Sequence, residues 1–235
     1  MKLEVVDLSK KYGKKEIFQD ASFTFEDGKI YGLIGRNGIG KTTFFNCLNE
    51  DIEVDSGRFY LEDEFGKRVL DTKDIGYVTS TPIVPEFLTA KEFLDFYIEI
   101  NKKRIKDLKD IDYYLDLVKI TNEDCNKLMK DFSHGMKNKM QILINIISDP
   151  KILLLDEPLS NLDVVVQDDL KKLLKKIKKD HIIIFSTHIL ELAIDLCDEI
   201  VIVNKKNLEV VEKKSLNTKK YKDKIISLLK DSNDD

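Results

Sequence analysis

The segment Gly35-Arg36-Asn37-Gly38-Ile39-Gly40-Lys41-Thr42 constrains this chain more than any other. It fits the pattern G-x-x-x-x-G-K-[ST]. An apolar run from Lys29 to Ile34 precedes it, and a helical stretch from Thr42 to Leu48 follows. In that context the glycines let the backbone curl so that successive N–H groups point at phosphate oxygens, helped by the helix N-terminus. Lys41 is then placed to reach β- and γ-phosphates, and Thr42 to offer its hydroxyl to Mg²⁺. A Gly-rich turn with no ligand is the alternative, and the flanking strand and helix argue against it.

The second half of the chain reads as a parallel sheet. Ile152 to Leu155, Ile182 to Phe185 and Ile200 to Val203 are each runs of four apolar residues, as strands buried on both faces require. Between the first two, Asp168 to Lys179 reads as a helix with Leu170, Leu173, Leu174 and Ile177 on one side. Its acids precede its lysines, as the helix dipole favours. The first fifty residues read as strands and turns around Leu3 to Val6, Ala21 to Phe25 and Lys29 to Ile34. Further strands are expected over about 57–78, with turns at Asp63-Glu64 and Asp71-Thr72. From about 89 to 147 the apolar period is helical, as in Phe93, Leu94, Tyr97 and Ile100. A strand pair from Leu208, a helix over Lys222 to Leu229 and an acidic tail close the chain.

The run Ile152 to Leu155 ends in Asp156-Glu157-Pro158. Two carboxylates at the carboxyl end of a parallel strand lie where ligands of such sheets bind. Asp156 suits Mg²⁺ held partly through water, and Glu157 suits a general base for water. A surface acidic turn is the bland reading, and the upstream phosphate loop favours the chemical one. Ile182 to Phe185 ends in Ser186-Thr187-His188, where a lone His is either structural or a γ-phosphate sensor.

Composition narrows the partners. The 39 basic and 43 acidic side chains leave a net charge of −4, and 35 of the bases are Lys, so no basic field points to nucleic acid. Cys47, Cys125 and Cys197 are too far apart for a metal or redox pair and read as packing residues in a reducing compartment. No apolar run exceeds four residues, against about twenty for a spanning helix. MKLEVVDLSKKYG carries no signal-peptide segment. The expectation is a soluble, intracellular chain with no internal repeat or flexible linker.

Taken in order, these motifs resemble those of the ATP-binding cassette ATPase family, the nucleotide-binding subunits of ABC transporters, over residues 1 to about 215. Tyr12 in Lys11-Tyr12-Gly13 matches the family's adenine-stacking aromatic. Phe132-Ser133-His134-Gly135-Met136 stands at the signature sequence, usually L-S-G-G-Q. Ser160-Asn161-Leu162-Asp163 resembles the segment that links two subunits, and His188 falls at the switch histidine. The resemblance implies an α/β fold: a P-loop NTPase core with a mostly parallel sheet, an N-terminal antiparallel β part and an inserted helical subdomain. The expected division is a cassette over 1–215 (core about 1–88 and 148–215, helical subdomain about 89–147), then a short helix and tail over 216–235.

The resemblance also implies roles. Catalysis falls to Glu157, His188 and Lys41. ATP binding falls to Tyr12, Gly35, Arg36, Asn37, Gly38, Ile39, Gly40, Lys41, Thr42 and Thr43, with Ser133 and Gly135 completing the site of an opposite subunit. Mg²⁺ falls to Thr42, Asp156 and Ser80. The implied partners are a second ATP-binding subunit, as a homodimer, and an integral membrane permease that the helical subdomain docks, with no nucleic acid. The chain is then peripheral at the cytoplasmic face of the cell membrane. Two departures stand out. His134-Gly135-Met136 replaces Gly-Gly-Gln, as in single-domain subunits that pair with exporter-type permeases; His134 is either an exposed filler or an added positive charge. The family's Gln aligns with Ser80, or with Thr79 or Thr81 if the register slips by one. A soluble cassette ATPase serving as a nucleic-acid or ribosome scaffold is the alternative function. A phosphate-loop kinase or GTPase is disfavoured, since no N-K-x-D tetrapeptide is present.

Overall fold

The computed structural model describes residues 1–103, 105, 107–160, 162–211 and 218–231. Strands β1 (Lys2–Tyr12), β2 (Lys15–Glu26) and β3 (Ile30–Ile34) lead into helix α1 (Lys41–Leu48). β4 (Ser56–Asp63), β5 (Gly66–Val69) and β6 (Ile75–Val78) follow. Then come α2 (Ala90–Asn101), α3 (Ile111–Leu117) and α4 (His134–Ile147). The last part alternates β7 (Ile152–Asp156), α5 (Val164–Ile177), β8 (Ile182–Thr187), α6 (Leu190–Leu196) and β9 (Glu199–Asn204), before β10 (Asn207–Val211) and α7 (Thr218–Asp231).

Two sheets result. One is antiparallel, in the order β2-β1-β4-β5. The other runs β10-β9-β3-β8-β7-β6, parallel except for its β10 edge. The apolar runs are continuous because the parallel sheet is covered on both faces. Ile30, Ile34, Leu153, Leu155, Ile183 and Phe185 join a core with residues of α2 to α6. Their neighbours Tyr31, Leu33, Ile152, Leu154, Ile182 and Ile184 join a second core with β1, β2 and α1. One strand thus feeds two layers through its period of two.

The register sets the site. Ile34 pairs with Thr187, and Asp156 with Ser186, so β3, β7 and β8 end together at one edge of the sheet. The phosphate loop, the acid pair and His188 all leave from that edge, as the spacing predicts.

The fold is α/β as expected, with local differences. The helix expected from Asp168 begins earlier, at Val164, because Asp163 caps it by accepting from the Val166 N–H at 2.9 Å. Helix α6 was not anticipated. The strand expected at Leu208 is β10, whose partner is β9; the rest of the expected pair falls at 212–217, outside the described residues. The helix expected over Lys222 to Leu229 lies within α7. The acidic tail, at 232–235, lies outside the described residues.

Candidate active site

Gly40 stands at the N-cap of α1 with φ +125°. Its conformation belongs to glycine, and a Cβ there would lie 2.5 Å from Ile17 Cγ2. Gly38, at φ +79°, makes the other unusual turn of the loop. No side chain caps α1, and its first turn carries no acid. The free N–H groups of this helix end favour an anion.

Lys41 is buried at 6% exposure, and its Nζ donates to the carbonyls of Gly35 at 2.7 Å and Arg36 at 3.2 Å. Burial holds its pKa below the usual lysine value, with Glu157 and Asp156 opposing the shift. The loop thus holds its own cation at the base of the turn.

Across the sheet edge, Thr42 Oγ1 donates to Asp156 Oδ2 at 2.8 Å, and Ser186 Oγ donates to Asp156 Oδ1 at 2.5 Å. The Glu157 N–H donates to the same Ser186 Oγ at 2.9 Å. Glu157 itself has φ +50°, a left-handed conformation that costs a non-glycine residue of order 1 kcal/mol. Three contacts hold it there. Ser160 Oγ donates to Glu157 Oε2 at 2.7 Å, the Ser160 N–H donates to its carbonyl at 3.1 Å, and His188 Nδ1 faces its carboxylate at 2.9 and 3.0 Å.

Asn37, Gly38, Gly40, Lys41, Thr42, Thr43, Ser80, Asp156 and Glu157 line one cleft of about 290 Å³. A larger cleft of about 720 Å³, with Lys15, Ile17, Arg36, Ile39 and Lys205 on its walls, shares Asn37 and Gly38 with it. Of the three registers open at residues 79 to 81, it is Ser80 that lines the phosphate cleft. Thr79 instead accepts from Gln141 and donates to the Thr81 carbonyl.

Tyr12 ends β1, half exposed under the Lys10 ammonium at 5.2 Å, and lines neither cleft. Ser133 is the exposed N-cap of α4, accepting from the Met136 N–H at 3.2 Å. Gly135 is buried against Val166 and Leu162. Neither joins the chain's own phosphate cleft. Asn161, within the Ser160 to Asp163 segment, lies outside the described residues.

Two residues of the site escaped the sequence-based candidates. Ser186 binds both acids, and its signal was a hydroxyl just beyond four buried apolar residues, in register with Asp156. Ser160 holds Glu157 from three residues downstream.

A family model described as ABC transporter matches residues 18–160. An uncharacterized ABC transporter ATP-binding protein of Methanocaldococcus jannaschii is 36% identical over 206 residues, covering 87% of this chain and 74% of that protein. The chain belongs to the ABC transporter family, as an ATP-binding cassette. The lantibiotic transport ATP-binding protein SrtF of Streptococcus pyogenes is 31% identical to the cassette, over 83% of this chain and 84% of its own length. A solved dimeric structure of a bacterial ABC transporter cassette superposes with a TM-score of 0.74 at 18% identity, covering 89% of this chain and 98% of that one. Membership makes the cassette an ATP-binding ATPase, and the phosphate loop joined to paired carboxylates is the chemistry that activity needs.

Proposed function

We propose that this cassette is the ATP-hydrolysing subunit of an exporter whose permease is a separate chain, and that it works as an ATP-dependent homodimer. The observation that carries the reading is one hydrogen-bonded unit: Thr42, Asp156, Ser186, Glu157 and His188 join the phosphate loop to a carboxylate at the same sheet edge.

In this reading water attacks the γ-phosphorus in line, the bond from that phosphorus to the β–γ bridging oxygen breaks with ADP as the leaving group, and Glu157 accepts the water's proton. Ser160 and His188 orient the carboxylate, and Lys41 neutralises charge on the β- and γ-phosphates. The donors beside the loop fit Mg²⁺. Asp156 and the Thr42 hydroxyl are hard oxygens 2.8 Å apart, and Ser80 adds a third at the cleft wall. When bound there, Mg²⁺ supplies positive charge against the phosphate oxygens. Tyr12 offers a ring face for adenine.

Ser133 and Gly135 lie away from their own chain's cleft, which supports their completing the site of a second copy. Val164 and Val165, 80% and 71% exposed, are apolar surface at the start of α5, next to the Val166 that packs on Gly135. ATP then binds the closed dimer more tightly than separate subunits, and hydrolysis releases it. Moving such an equilibrium from 1:99 to 99:1 takes about 5.5 kcal/mol of differential binding.

Ile83 and Phe87, 73% and 82% exposed, follow Ser80 closely and offer the permease an apolar contact beside the nucleotide. The helical subdomain, about 89–147, joins that contact. No helix among the described residues is long and apolar enough to cross a membrane, so in this reading a partner provides the span and the cassette sits at its cytoplasmic face. Export rests on the Ser133-His134-Gly135-Met136 signature, and the likeness to SrtF, a transport ATP-binding protein, supports the transport role.

The test is to tag the Glu157→Gln protein, lock it with ATP, extract it gently from native membranes and identify what accompanies it. A polytopic membrane protein is the expected partner. Recovery of soluble proteins or ribosomes alone overturns the transporter reading in favour of a scaffold ATPase.

A further inference from the structure

Helix α4 starts at Ser133 and lies against β6. A Cβ on Gly76 of β6 would come within 2.8 Å of Asn145 Oδ1, so little separates the two elements. Asn138, Gln141 and Asn145, at spacings of three and four, share one side of this helix. Its buried neighbours Met140, Ile142, Leu143 and Ile147 are apolar, and an apolar residue would fill the amide positions without polar cost.

Each amide instead spends its N–H₂ on a specific group. Asn138 Nδ2 donates to the Pro158 carbonyl at 2.5 Å, one residue beyond Glu157. Gln141 Nε2 donates to Thr79 Oγ1 at 3.0 Å, and Thr79 passes the chain on to the Thr81 carbonyl at 2.8 Å, around Ser80. Asn145 Nδ2 donates back to the Gln141 carbonyl at 2.8 Å. The acceptor ends of Asn138 and Gln141 are buried with no hydrogen-bond partner among the described residues, a standing cost in stability. Residues kept at that cost invite a functional account.

We propose that Asn138 and Gln141 are positioning residues. They tie the helix that begins at Ser133 to the two loops that present Glu157 and Ser80 to the phosphate cleft. A displacement of α4 is thereby passed to both loops at once. Gln141 is the clearer member, because its one bond sets the hydroxyl that braces the Ser80 turn. The proposal rests on the hydrolytic reading of the cleft given above.

The test uses Gln141→Met, which keeps the volume and removes the amide, Thr79→Val, and the two combined, in the full chain. The Gln141→Met protein should melt no lower than wild type, since it also removes an unpaired buried acceptor. Its kcat should fall about fivefold to tenfold, the worth of one hydrogen bond, with KM for ATP within twofold. Thr79→Val should match it, and the double variant should lose no more than either alone. Amide exchange should quicken at residues 79–81 and stay unchanged at 157–159, with Asn138→Leu giving the reverse. An unchanged kcat, multiplying losses in the double variant, or a fall in kcat that tracks a fall in Tm overturns the proposal. Variants that exchange as described, beside a wild-type protein that turns over no ATP, overturn the hydrolytic reading instead.

Discussion

His188 Nδ1 lies 2.9 and 3.0 Å from the two carboxylate oxygens of Glu157, across the gap between the ends of β8 and β7. With the carboxylate as acceptor, the contact takes the His188 tautomer that carries its proton on Nδ1. The contact, with those from Ser160 and Ser186, holds a residue whose backbone sits at φ +50°. That investment in a single orientation is what a general base needs.

Glu157→Gln should therefore retain ATP binding while turnover drops by about 10²–10⁴, the usual worth of base catalysis. The amide keeps an oxygen for Ser160 Oγ, so the local fold should survive. Single-turnover hydrolysis alongside titration with a fluorescent ATP analogue checks both halves. Turnover near wild type contradicts the role given to Glu157.

Gly32 in β3 faces α6 with no room to spare. An added Cβ would lie 2.5 Å from Cys197 Sγ and 3.3 Å from Ala193 Cβ. Gly32→Ala should destabilise the protein by about 1–3 kcal/mol through overpacking. Urea denaturation reads this as a lower midpoint at constant slope. An unchanged midpoint means that α6 yields freely.

How far the fold was legible depended on burial. Ile152 to Leu155 and Ile182 to Phe185 announced parallel strands because both faces of that sheet are covered. Helix α6 is buried through Leu190, Leu192, Ala193 and Leu196 yet leaves no local signal: it has seven residues, Ile189 at its N-cap, and no side-chain cap bond. The start of α5 is set by Asp163, whose place in the Ser160-to-Asp163 motif masks its role as a cap. In the candidate site, the convergence of Lys41, Thr42, Asp156 and Glu157 was legible from local motifs at strand ends, whereas His188 was set apart from a structural histidine only through the family resemblance. Ser186 required the register of two strands. The bond from Gln141 to Thr79 joins residues 62 apart and follows from no local pattern.

Cys47 is 2% exposed, and burial pushes its thiol up to about 11. The thiolate is the reactive form, so at pH 8 on the order of 0.1% of it is available even before access is considered. Cys125 and Cys197 are also buried. Iodoacetamide should leave all three unmodified in the native protein and label all three in denaturant, as mass spectrometry would record. Rapid native labelling of Cys47 contradicts its place on the buried side of α1, in the core shared with the antiparallel sheet.

Asp169 on α5 pairs with Lys119 at 2.6 Å and with the buried Lys139 of α4 at 3.5 Å. The hydrogen bond from Lys119, with Lys139 adding to it, holds the carboxyl below the usual aspartate range. A depressed acid stabilises the fold above its unfolded pKa of about 3.9, and that stabilisation fades as pH falls through the folded value. Asp169→Asn should thus lose stability at pH 7, with the deficit shrinking toward wild type below pH 4. A deficit independent of pH assigns the loss to packing.

The central claim is that two copies close on ATP, with Ser133 of one completing the phosphate site of the other. Multi-angle light scattering of purified Glu157→Gln protein, with and without ATP, tests it most directly. A shift from monomer to twice that mass on adding ATP, abolished when Ser133→Arg is added to the same chain, is the predicted result. A protein that binds ATP and stays a monomer, or a dimer indifferent to Ser133→Arg, contradicts it.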